Sequence, residues 1–189
     1  TNTGSACLLV GSHLGSFEII RALGRSRLGL RVKVLMDTEA TPQITRLYRS
    51  INPSLYEDIV PMNQPGALLE LVPLIRQGGM LALLGDRCLA GDRRTGCRFF
   101  GEPIDLPQAP FMLAQALELP MVLFFCLHEG WGRYTVVFED LAPFHPLPRR
   151  QREAAAQATM QHYTDRLEHH ARRAPWNWLN FHDIWQREA

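Results

Sequence analysis

His13 and Glu18 stand five residues apart in Gly11-Ser12-His13-Leu14-Gly15-Ser16-Phe17-Glu18. An imidazole can take a proton near neutral pH, and a carboxylate on its other nitrogen would fix the tautomer and stabilise the imidazolium. The relation is that of the acid to the histidine in a serine-protease triad. No protein nucleophile is required if a substrate hydroxyl attacks. Small residues flank His13, and Gly15 would permit close approach of a ligand. A solvated loop histidine beside a glutamate in a helix first turn is the bland alternative, and spacing alone does not exclude it.

These residues sit where an apolar run, Ala6 to Gly11, gives way to helical spacing at Phe17, Ile20 and Leu23. The run predicts a buried strand and the spacing a helix over 17–28. Further strands are expected at 31–36, 57–61, 80–84, 121–127 and 134–139. Helices are expected at 41–50, 67–77, 110–119 and 150–173, the last of them long and amphipathic. The stretch 88–108 is polar, basic and rich in glycine, and is expected to be mostly loop. Strand–helix alternation predicts an α/β fold with a largely parallel central sheet flanked by helices and one antiparallel hairpin. We expect one domain over 1–189, with 149–189 as a helical and aromatic flank. The start at Thr1, close to an apolar run, suggests a fragment lacking an N-terminal segment.

The chain has 189 residues, 46% hydrophobic and 21% charged, which is ordinary for a globular protein and argues against disorder. A formal net charge of +1 gives no global field for nucleic acid. The four cysteines form no Cys-x-x-Cys pair, and no metal site is expected. Cys7 and Cys126 lie in apolar runs and read as core thiols. No apolar run is long enough for a membrane helix. The histidines of the long helix read as a solvated face.

Arg87, Arg93, Arg94 and Arg98 gather in the expected loop. They form either an anion site or a solvated face balanced by Asp86 and Asp92, with Arg87 singled out because it follows a strand end. Phe99-Phe100 and Phe124-Phe125 could line a long apolar pocket or pack the core. Trp176, Trp178, Phe181 and Trp185 could dock on the domain or meet a membrane interface.

Ser12-His13-Leu14-Gly15-Ser16-Phe17-Glu18 resembles the first motif of the lysophospholipid acyltransferase superfamily, in the branch of the lipid A (lauroyl/myristoyl) acyltransferases. Leu84-Gly85-Asp86-Arg87, Phe99-Phe100-Gly101-Glu102-Pro103, Leu119-Pro120-Met121-Val122 and the tail 174–181 resemble its later blocks in order. The chain departs from many relatives at Leu106-Pro107-Gln108-Ala109-Pro110, where they place a glycine before the helix.

The resemblance implies an O-acyltransferase with His13 and Glu18 as the catalytic pair. It implies substrate contacts at Ser12, Gly15, Asp86, Arg87, Phe100, Gly101 and Glu102. It implies no cofactor, an acyl-CoA or acyl carrier protein thioester as co-substrate, and a lipid hydroxyl as acceptor. It also implies the cytoplasmic face of an inner membrane, reached peripherally or through an anchor absent from this chain. Two other functions are open: a thioester or ester hydrolase on the same pair, and a non-catalytic lipid or carrier-protein binding module. No Gly-x-Ser-x-Gly nucleophile elbow is present to favour an ordinary esterase.

Overall fold

The computed structural model describes residues 6–19, 32–39, 42–51, 56–64, 66–142 and 145–185. Its elements, in order, are β1 (Cys7–Gly11), β2 (Val32–Met36), α1 (Pro42–Ile51), β3 (Ile59–Pro61), α2 (Val72–Arg76) and β4 (Met80–Leu84). There follow β5 (Arg94–Phe99), β6 (Glu102–Pro107), α3 (Ala109–Leu117), β7 (Met121–His128), β8 (Tyr134–Ala142) and α4 (Arg149–Arg173). Most of the expected helix 17–28 lies outside the described residues; 17–19 are helical.

The fold is α/β, as the alternation predicted: a mixed, mostly parallel sheet with one antiparallel pair, flanked by four helices among the described residues. Two compact units divide the chain, one of Thr1–Leu9 with Glu18–Leu83, the other of Val10–Phe17 with Leu84–Ala189.

In the first unit the strand order is β3-β2-β4-β1, with β2 parallel to both β3 and β4. The apolar run of β1 is interior, Leu8 to Gly11 being buried. Residues 67–77 do not form the single helix expected. A 3-10 turn at Leu69–Leu71 precedes the short α2, which carries Pro73 in its first turn. Proline has no N–H for a helical bond and is tolerated only where that donor would be unused, so the helix restarts there.

In the second unit the order is β1-β7-β8, with β7 and β8 antiparallel. Strand β7 is buried from Leu123 to Leu127, as its unbroken apolar sequence requires. Helix α4 buries Ala156, Met160, Tyr163, Leu167, His170 and Ala171, recurring every three or four residues. Its last turn carries His170, Arg172 and Arg173, which complement the negative end of the helix dipole. No helix among the described residues is long and apolar enough to cross a membrane.

The stretch expected to be mostly loop contains a β-hairpin instead. Strands β5 and β6 pair from Arg94↔Pro107 to Phe99↔Glu102, leaving Phe100-Gly101 as a two-residue turn. Both turn residues have positive φ, 53° and 83°, which matches the right-handed twist of the flanking strands. Cys97, Phe99, Ile104 and Leu106 face inward, while Arg98, Gly101 and Glu102 are exposed. Pro103 and Pro107 oppose Arg98 and Arg94. Counting from the closing pair, those are the positions that exchange no ladder hydrogen bonds, so the missing N–H groups cost nothing. Arg94 and Arg98 are therefore strand residues, and the four arginines do not share one loop.

Candidate active site

His13 lies two residues past the end of β1, and Asp86 two residues past the end of β4. Gly11 O joins these ends: it accepts the Gly85 N–H at 3.0 Å and the Tyr163 hydroxyl of α4 at 2.9 Å. Space beside Gly85 is tight. A Cβ there would lie 3.0 Å from a Val10 methyl carbon and 3.5 Å from the Tyr163 ring. Tyr163 is fully buried. Burial, and secondarily the nearby Asp86 carboxylate, push its phenol well above the usual range, so it stays a neutral donor.

The Asp86 side chain is wholly buried, while that of His13 keeps 22% of its surface. Asp86 Oδ1 is 2.9 Å from His13 Nδ1, and Asp86 Oδ2 accepts the His13 backbone N–H at 2.8 Å. A buried carboxylate requires such donors. Because an ionised carboxylate only accepts, Nδ1 carries the hydrogen and Nε2 keeps the lone pair. The imidazole is thus oriented by a third group, with one nitrogen able to take a proton. Asp86 was expected among the substrate contacts; nothing local to His13 indicates this bond, since 73 residues separate the two.

Glu18 belongs to the first unit, in the helical residues 17–19, and is half-buried. Phe17 sets its ring edge-on to His13, with centroids 6.2 Å apart.

Ser12 is buried, and its hydroxyl accepts the Leu14 N–H at 3.2 Å, which shapes the turn carrying His13. Gly15 has a φ of +84°, and a Cβ there would lie 2.1 Å from the Cys126 carbonyl oxygen. The close approach it permits is thus that of the β7 backbone. On either side, Gly15 donates to Asn177 O and Ser16 to Cys126 O, both at 2.8 Å. At Gly11 the neighbour is a side chain: a Cβ there would meet the tip of the buried Phe124 ring, which would have to shift.

The tail reaches His13 as well. Leu179 N–H donates to His13 O at 2.9 Å, and Leu14 bridges Trp178. Arg87 secures this strip, its Nε donating to Asn180 Oδ1 at 2.9 Å and its Nη2 to Leu179 O at 3.3 Å. Asn180 is buried and its Nδ2 has no partner. Trp178 stacks on Phe99 at 5.6 Å, and Trp185 lies tilted over the same ring at 6.1 Å.

Phe100 and Gly101 form the hairpin turn, where the Phe100 N–H donates to Glu168 and the Arg172 guanidinium lies 4.6 Å over the Phe100 ring. Glu102 is exposed beside them. Phe124 and Phe125 are core residues; Phe125 packs its ring 4.4 Å from that of His170. The histidine in turn binds Glu139 at 2.7 Å, and Arg166 binds the same carboxylate at 2.6 and 2.8 Å. Hydrogen bonds from Arg166, and then from His170, overcome partial burial and hold Glu139 down at about 2.

Among the described residues no group of three His, Cys, Asp or Glu side chains is placed to hold a metal ion. Cys7, Cys97 and Cys126 have thiols raised by burial. That disfavours the thiolate and a nucleophilic role.

No curated protein matches the sequence. The family model for bacterial lipid A biosynthesis acyltransferases matches residues 1–187, nearly the whole chain. Family membership makes the protein an acyltransferase, with an acyl donor and a lipid acceptor as its substrate classes. A histidine held through Nδ1 by a buried carboxylate, between two strand ends, is a site suited to that chemistry, and the chain belongs to the bacterial lipid A biosynthesis acyltransferase family.

Proposed function

We propose that the protein transfers a fatty acyl group from a thioester, acyl-CoA or acyl carrier protein, to a hydroxyl of a lipid or glycolipid acceptor, with His13 as general base. One observation carries this reading: Asp86 occupies Nδ1 and leaves Nε2 as the proton acceptor. His13 Nε2 takes the hydroxyl proton as the acceptor oxygen bonds to the thioester carbonyl carbon. The tetrahedral intermediate then collapses, the C–S bond breaks, and the thiolate leaves with the proton returned by the imidazolium. General-base assistance of this kind is worth about 10²–10⁴ in rate. Glu18, the carboxylate of His-x-x-x-x-Glu, is the second acid of the proposed pair.

An oxyanion donor is worth about 3–4 kcal/mol. Arg87 is our candidate, since its guanidinium stands one residue from Asp86 and the Phe100 amide is taken by Glu168. Ser12 and Gly15 shape the base-bearing turn, and Gly101 and Glu102 bound the hairpin tip that would contact substrate. On this reading the protein works at the cytoplasmic face of the inner membrane, where a lipid acceptor would be met. The reaction requires no cofactor.

The test is thiol release from acyl-CoA and from acyl carrier protein, with and without a lipid hydroxyl acceptor, for the parent and His13→Ala. Acceptor-dependent release that vanishes in a folded His13→Ala variant is expected. Equal rates for the two proteins reject the assignment, and release independent of acceptor makes the protein a hydrolase.

A further inference from the structure

Helix α4 lends its polar side chains to several neighbours. Gln161 bonds both backbone groups of Arg98 in β5, and Glu168 accepts the Phe100 N–H at the hairpin tip. Arg166 and His170 hold Glu139 of β8. Thr164 turns back to its own helix and donates to Met160 O at 2.7 Å. Tyr163 has a different target. Its hydroxyl crosses to the end of β1 and donates to Gly11 O at 2.9 Å, the same oxygen that receives the Gly85 N–H at 3.0 Å.

That oxygen lies at the root of both halves of the site. Gly11 stands two residues before His13, and Gly85 directly precedes Asp86. A backbone carbonyl has two lone pairs, so it accepts both donors at once. The Tyr163 ring is held as firmly as its hydroxyl. It is fully buried and meets Phe111 of α3 edge-on, with centroids 5.8 Å apart. Phenylalanine would fill the same space with no polar atom to satisfy, so packing alone gives no reason for a buried hydroxyl here.

Alignment does give a reason. The His13 ring depends on Asp86 Oδ1 at 2.9 Å from Nδ1. A drift of about 0.5 Å between the two strand ends would carry that contact beyond the roughly 3.2 Å limit of an ordinary N–H···O bond. We propose that Tyr163 is a positioning residue for His13: its hydroxyl pins the junction of β1 and β4, and so keeps Asp86 within bonding distance of the imidazole. Its effect on rate rests on the acyl-transfer reading. Its effect on the His13–Asp86 bond does not.

Tyr163→Phe isolates this role. It removes one neutral hydroxyl, leaves the charge beside Asp86 unchanged, and leaves Gly11 O its Gly85 donor. The control is Met160→Ala, which opens a cavity one turn away on the same buried face of α4. Two readouts are taken on the full chain. The first is the nitrogen NMR shifts of isotope-labelled histidines above neutral pH, with His13 assigned by its loss in His13→Ala. The second is steady-state acyl transfer.

In the parent, His13 should be a single tautomer with the hydrogen on Nδ1. In Tyr163→Phe its two ring nitrogens should move towards each other in shift as the tautomers mix. His170 should stay unchanged there, since its partner Glu139 is anchored separately by Arg166. The kcat of Tyr163→Phe should fall about tenfold with KM within about twofold. Met160→Ala should lower the melting temperature at least as much as Tyr163→Phe while keeping the parent's His13 shifts and kcat. His13 shifts in Tyr163→Phe that match the parent overturn the proposal. So does an equal loss of kcat in Met160→Ala, which would make the effect one of general stability. A parent whose His13 is already a mixture of tautomers overturns it too. If the parent transfers no acyl group, the acyl-transfer reading fails and the shifts alone decide the role of Tyr163.

Discussion

Asp86 holds His13 at two points, through ring Nδ1 at 2.9 Å and through the backbone N–H at 2.8 Å. The double contact fixes both the position of the residue and the tautomer of its ring. It makes Asp86 a positioning residue, acting through the imidazole.

Asp86→Asn should therefore be more damaging than its size suggests. The amide can present its NH₂ to Nδ1, which reverses the tautomer and places the hydrogen on Nε2. A fall in kcat of about 10²–10⁴ is expected, with KM little changed. Steady-state thiol release checks it, with circular dichroism to confirm folding. A kcat within a few-fold of the parent would remove Asp86 from the mechanism.

Arg87 ties the tail strip with two nitrogens at once, a fork that an ammonium cannot reproduce. Arg87→Lys is expected to behave like Arg87→Ala, both losing acyl transfer and both exposing the segment after Ala174 to limited proteolysis. Kinetics unchanged in Arg87→Ala would take the residue out of the site.

Gly15→Ala should unfold or severely destabilise the protein. The positive φ and the overlap with the Cys126 carbonyl act together, and the neighbour is backbone that cannot step aside. A cost above about 2 kcal/mol follows, lowering the melting temperature by more than about 4 °C. A melt matching the parent would show that the turn relaxes freely.

Glu139 links stability to acid. Its folded-state value of about 2 lies below the ordinary 4.5, so its contribution is complete above pH 4.5 and is lost as pH falls through 2. Because the pair with Arg166 is partly open to water, the contribution is on the order of 1–2 kcal/mol. Urea unfolding of the parent and Glu139→Gln should give curves separated at pH 7 that converge as the pH drops towards 2. A constant separation would contradict the linkage.

What the sequence determined by itself is local. The apolar run of β1, the three-and-four spacing along α4 and the unbroken apolar β7 each announce an element within a few turns of chain, because burial imposes a period on consecutive residues. His13 could be located for the same reason, as a histidine among small residues at a strand end. The hairpin of β5 and β6 was hidden because its inward residues are only Cys97, Phe99, Ile104 and Leu106, set among arginines, prolines and glycines that read as loop. Tertiary structure alone decided that Asp86 meets the imidazole, that Tyr163 and Gly85 share the Gly11 carbonyl, and that the tail lies along His13. Those partners are 73, 152 and more than 160 residues apart in the chain. No periodic pattern carries such pairings; they arise when separate elements close on one another and buried polar groups must find each other.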